Sequence, residues 1–184
     1  MVDPAEVPKL LGDAARLLRR GELVVFGSGA LAFWLQDAPR SRDVDLWCEP
    51  AERGEVVEAL MGELSWYHDR HGAYVEVWGP ETFAAPRSWR QRARRLQSDA
   101  APDVTLVLPH PHDVLFAKLE RMDESDVDHL RRILAEFPLA PERLEALAQE
   151  APYSAGDVTD PERIARFAAG LERLRKMVEA AHAG

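Results

Sequence analysis

Apolar positions recur along this chain at two spacings, and the changes between them lay out its elements. Val7, Leu10, Leu11, Ala14, Leu17 and Leu18 fall at helical spacing behind Asp3 and Pro4, which predicts a helix over 4–20, ended by Arg19, Arg20 and Gly21. The short apolar run Leu23 to Phe26 reads as a buried strand, 22–26. A short apolar helix over about 29–36 and a second strand over 42–48 come next. Pro50 opens a helix over 51–63, with Val56, Val57, Leu60, Met61 and Leu64 on its apolar side. Residues 65–69 and 73–78 read as a hairpin turning at Arg70-His71-Gly72. A basic helical stretch is expected over 87–97, a strand over 103–108, and helices over 113–122, 125–136, 141–149 and 160–181. Strands first and helices afterwards predict an α+β protein. Its small mixed β-sheet, flanked by helices, would occupy 1–110, with a helical C-terminal part over 111–184 packed on it as one compact domain.

The strand pleat makes the first statement about chemistry. Side chains alternate across a strand, so Asp43, Asp45 and Trp47 share one face while Val44, Leu46 and Cys48 share the core face. In the stretch 74–78, the same alternation sets Tyr74, Glu76 and Trp78 opposite Val75 and Val77. If the two strands are neighbours, three acids converge on one point. Such a cluster is unfavourable unless a cation compensates it, and carboxylates suit magnesium. Upstream, Gly27-Ser28-Gly29 joins a strand to a helix. Glycines let a backbone approach a ligand, N–H groups at a helix start favour phosphate, and the Ser28 hydroxyl adds a hydrogen bond. Each piece alone has an ordinary reading: solvent-facing acids on an edge, a plain turn, a surface glutamate. Their order and matching pleat faces favour the joint reading, a site for a nucleoside triphosphate with its magnesium ions.

Composition narrows the class. At 184 residues, 46% hydrophobic and 30% charged, the chain is an ordinary globular protein with enough length for a substantial core. A net charge of -9 argues against a general nucleic-acid coat. Cys48 is the sole cysteine, so an internal disulfide is impossible and a reducing cytoplasm is the expected location. The sequence has neither a signal segment at its start nor an apolar run of membrane-spanning length, so no membrane association is expected. His110-Pro-His112 and His68-x-x-His71 lack the cysteine or H-E-x-x-H context that zinc requires. No Walker loop, nucleophile elbow or complete Rossmann fingerprint occurs.

Gly27-Ser28 at a helix start, Asp43-x-Asp45 on the next strand and Glu76 between hydrophobic residues on a later one resemble the nucleotidyltransferase superfamily of the DNA polymerase β type. Ser41, and the segment Pro111-His112-Asp113-Val114-Leu115-Phe116-Ala117-Lys118-Leu119-Glu120-Arg121 followed by Asp126 and Asp128, is similar to its bacterial branch with abortive-infection type IV toxins. The chain departs from the small antitoxin-type members, which carry an Arg-rich turn after the serine, and is much shorter than the large toxins.

That resemblance implies transfer of a nucleoside monophosphate from an NTP to a tRNA, protein or small-molecule acceptor, in a possible toxin–antitoxin pair with a cognate partner protein. Asp43, Asp45 and Glu76 would be catalytic and hold magnesium, while Gly27, Ser28, Lys118 and Arg121 would bind the nucleotide. One of Asp126 and Asp128 would orient Lys118 or Arg121, or both would only complement a helix start. The basic run Arg87 to Arg95 is read either as a phosphate-docking face, with Arg87, Arg90 and Arg94 aligned, or as a solvated helix anchored by Trp89. Trp47, Trp78 and Tyr74 would stack on a base or simply pack. Two other classes stand beside the enzyme: a catalytically silent nucleotide- or protein-binding module, and a D-x-D glycosyltransferase, for which the chain is short.

Overall fold

The computed structural model describes residues 1–182. It is an α+β protein that divides into two compact units, residues 1–83 with 93–109, and residues 84–92 with those from 110 onward.

The first unit is built on a five-stranded mixed sheet in the order β3-β2-β1-β5-β4. The strands are β1 (Gly21–Val25), β2 (Val44–Glu49), β3 (Val75–Val77), β4 (Arg94–Ser98) and β5 (Ala101–Leu108). β1 lies between β2, to which it is antiparallel, and β5, to which it is parallel. Asp3 caps a 3-10 turn with a reciprocal capping box that leads into α1 (Val7–Leu18). The apolar stripe Leu10, Leu11, Ala14 and Leu18 of α1 is buried, and the helix packs on β5 and on α3 (Gly54–Met61). Phe26, Trp47 and Phe83 form an aromatic cluster with ring centroids 5.3–6.1 Å apart. Trp47 is therefore only 3% exposed, a packing residue and not a platform for a base.

Two expectations fail here, each for a local reason. The hairpin over 65–78 does not form. Ser65 caps a helix instead, its Oγ accepting from His68 N, and α4 (Trp66–His71) ends at Gly72 in the left-handed region. The α3–α4 pair is thus a helical crossover, and β3 emerges parallel to β2. The basic helix over 87–97 is also short. Only α5 (Trp89–Arg92) is helical, and the chain then enters β4, the edge strand paired antiparallel with β5. Charged Arg94 and Arg95 protect that edge from further pairing.

The second unit contains α6 (Pro111–Ala117), α7 (Glu124–Glu136), α8 (Pro141–Glu150) and α9 (Pro161–His182). Its core includes Leu115, Phe116, Leu119, Leu130, Ile133, Leu147 and Leu174. Tyr153 stacks on Phe167 with centroids 4.3 Å apart. Residues 84–92 are fastened here by polar contacts. Arg87 donates to Asp157 at 2.6 Å, and Ser88 Oγ bonds Glu150. Arg92 makes a two-pronged bond with the buried carboxylate of Asp113, at 2.5 and 3.1 Å. Two of the five arginines in the basic run, Arg87 and Arg92, are therefore spent on holding the unit together.

Gly170 lets α9 lie directly against the chain at Leu119, because a Cβ there would collide with the Leu119 carbonyl oxygen. Both partners are backbone, so no rotamer change relieves the clash. Gly170→Ala is expected to cost about 1–3 kcal/mol or more as overpacking, read as a lower urea midpoint with an unchanged slope.

Candidate active site

The end of β1, the turn after it, and the paired strands β2 and β3 bring the predicted acids and glycines to one place. In the parallel β2–β3 ladder Val44 faces Val75 and Asp45 faces Glu76. Val44, Leu46 and Val75 are fully buried, which anchors both strands and fixes the face on which the acids project. Asp43 stands one residue before β2 and is half-buried.

The turn packs on the same strand. Phe26 N donates to Asp45 O at 3.0 Å, so the chain leaves β1 directly beside Asp45. Gly27 then has φ +59, a conformation that favours glycine, and opens the five-residue helix α2 (Gly27–Leu31), two residues earlier than the hydrophobic pattern predicts. A Cβ on Gly27 would collide with Asp45 Oδ2, and one on Gly29 would stand 2.9 Å from Val44 Cγ1. Gly27 is thus required by its positive φ, and both glycines bring the turn close against side chains of β2. Ser28 lies between them, in the first turn of α2.

Each aspartate is held by a side chain from the Glu76 strand or beside it. Trp78 Nε1 donates to Asp45 Oδ1 at 3.1 Å. The Tyr74 hydroxyl donates to Asp43 Oδ2 at 3.4 Å and accepts from Arg42 Nε at 2.7 Å. Arg42 also bonds Glu63 at 3.1 Å and lies 4.0 Å from Asp43. Arg42 was not foreseen, and its position directly before Asp43 is the only sequence signal for it. Glu76 sits between the two aspartates. Partial burial, and then the charges of Asp43 and Asp45, push its carboxyl above the usual carboxylate range.

All three acids offer hard oxygen donors, the chemistry that suits magnesium, and the collision at Gly27 shows how tightly the turn backs the Asp45 oxygen. Their chemistry suits a divalent cation, but among the described residues no group of three or more His, Cys, Asp or Glu side chains stands close enough together to hold a metal ion.

Lys118 and Arg121 belong to the second unit, where both bind Asp126. Lys118 Nζ lies 2.7 Å from Asp126 Oδ1, with side-chain exposures of 8% and 0%. Arg121 reaches both carboxylate oxygens at 2.7 Å. Burial works to raise the Asp126 carboxyl, but hydrogen bonds from Arg121 and Lys118 outweigh it and hold the group below its usual range. Asp126 is thus the acid that orients both cations, while Asp128 pairs with Arg132.

Residues 6–178 match the model of a family described as "Nucleotidyltransferase of unknown function (DUF6036)". The chain belongs to this nucleotidyltransferase family. No curated protein and no solved structure gives a significant match. No helix among the described residues is long and apolar enough to cross a membrane.

The raised carboxyl of Glu76 has a consequence for stability. The folded state holds this proton more tightly than the unfolded chain, so the favourable contribution is full at low pH and is lost as pH rises through the raised folded value. Glu76→Gln should therefore raise the melting temperature of the metal-free protein at pH 7. The gain should vanish near pH 4, where both side chains are neutral. Thermal melts at the two pH values, in EDTA, check this.

Proposed function

We propose that this protein is a magnesium-dependent nucleotidyltransferase that moves a nucleoside monophosphate from an NTP to an acceptor hydroxyl. The single observation that carries the reading is the Asp45–Glu76 register, with Gly27 pressed against Asp45 from the other side. A phosphate-friendly turn and a carboxylate cluster then adjoin within one compact unit.

In this reading, Asp43, Asp45 and Glu76 hold the cation. Magnesium bound there would stabilise the attacking and leaving oxygens of an in-line displacement. The bond formed joins the acceptor oxygen to the α-phosphorus, and the bond broken releases pyrophosphate. Glu76, set beside the two aspartates, also takes the proton of the attacking hydroxyl. Gly27 presents bare backbone towards the phosphates, and Ser28 contributes its hydroxyl to a phosphate oxygen. Lys118 is compensated by Asp126 inside its own unit, so no step is placed on it. The resemblance to the abortive-infection branch makes RNA and protein the first acceptors to try.

The test uses the purified chain with magnesium, each of the four α-labelled NTPs, and total bacterial RNA or protein. Wild type should transfer label from at least one NTP, and the double variant Asp43→Ala/Asp45→Ala should lose at least a hundredfold. Tight NTP and magnesium binding without transfer would instead identify a catalytically silent binding module. Equal binding by the double variant would remove the carboxylate site from the account.

A further inference from the structure

We propose that Tyr74 and Trp78 are positioning residues, which flank Glu76 on its own strand and hold one oxygen each of Asp43 and Asp45. The inference rests on the carboxylate site proposed above, and it adds a task for two aromatic residues that otherwise look like packing groups.

The argument begins with the pleat. Tyr74, Glu76 and Trp78 alternate with the apolar residues Val75 and Val77, so they project to one side. In the parallel register Asp45 stands opposite Glu76, and Val44 opposite Val75. Continuing that register by one residue sets Asp43 opposite Tyr74. The three polar groups of this side therefore serve the two aspartates in order. The Tyr74 hydroxyl goes to Asp43 Oδ2, Glu76 lies between, and the Trp78 indole N–H reaches back to Asp45 Oδ1.

The two donors differ in how they are fixed. Tyr74 is 3% exposed, and its hydroxyl accepts the 2.7 Å bond from Arg42 Nε, which directs its own proton away from Arg42 and towards Asp43. Arg42 is itself anchored by Glu63 at 3.1 Å. Trp78 is 44% exposed, so burial does not account for its orientation. The hydrogen bond to Asp45 does, together with the backbone bond from Trp78 N to Leu46 O at 2.9 Å. An indole N–H donates and never accepts, which makes it a carboxylate holder that cannot compete for a cation. With Oδ1 of Asp45 tied to Trp78, Oδ2 is the oxygen set against Gly27. Side chains that orient ligating groups in this way typically change metal affinity by roughly 10–100-fold when removed.

Trp78→Phe and Tyr74→Phe remove the donor and keep the ring. Two measurements on the full chain decide the matter. The first needs no metal. Five tryptophans give five indole N–H resonances in a nitrogen-15 spectrum, and the one lost in Trp78→Phe is assigned to Trp78. Asp45→Asn should shift that resonance, and an unmoved resonance would overturn the clamp. The second is Mn2+ binding followed by electron paramagnetic resonance. Both Phe variants should bind about tenfold more weakly than wild type while melting within a few degrees of it. Wild-type-like Mn2+ affinity in both, with Asp45→Asn losing binding, would overturn the clamp and leave the site intact. If wild type itself takes up no Mn2+, the proposed function fails, and the indole resonance alone decides whether Trp78 holds Asp45.

Discussion

The parallel pairing of β2 with β3 is the constraint on which the site depends. Antiparallel strands need only a tight turn, but parallel ones need a crossover, and α3 with α4 supplies it. The buried alternates Val44, Leu46 and Val75 then hold the ladder in one register, since a slip of one residue would drive Asp45 or Glu76 into the core. Carboxylates that repel one another are thus kept adjacent by apolar burial on the opposite side of the same strands. The raised carboxyl of Glu76 reflects its partial burial first and its two like-charged neighbours second.

Charge is handled differently in the helical unit. There the buried acids are matched one by one: Asp113 by the fork of Arg92, and Asp126 by Lys118 and Arg121 together. Glu120 accepts from Arg163, Tyr153 and Arg166, and its carboxyl is pulled down to about 2 by the Arg163 bonds above all. Asp126 and Glu120 are held below the usual range by their partners, whereas burial outweighs Arg92 at Asp113 and leaves its carboxyl raised, and Glu76 combines partial burial with two like-charged neighbours.

Much of this was legible from the chain alone. The strands of the site, the faces of Asp43, Asp45 and Glu76, and the Gly-Ser-Gly turn follow from pleat and spacing. The hairpin over 65–78 was misread because His71-Gly72 looks like a turn centre, while the decisive residue was Ser65, whose capping bond starts a helix on the N-terminal side. The basic run was misread for a different reason. Helical periodicity is satisfied by Arg87, Arg90 and Arg94, but Arg87 and Arg92 pair with Asp157 and Asp113, partners far away in sequence that no local pattern can announce. Arg42 was invisible on the same grounds, since its value comes from the hydroxyl of Tyr74.

The place of β3 in the sheet gives Glu76 a second task. It is an edge strand of three residues, and an exposed edge invites pairing with another chain. A charged residue in its middle discourages that, so Glu76 protects the edge at the same time as it completes the acid cluster. Of the three acids only Glu76 stands on this edge: Asp45 lies on β2, which β1 and β3 flank, so the edge strand carries the one acid whose position the neighbouring strand must hold from a single side.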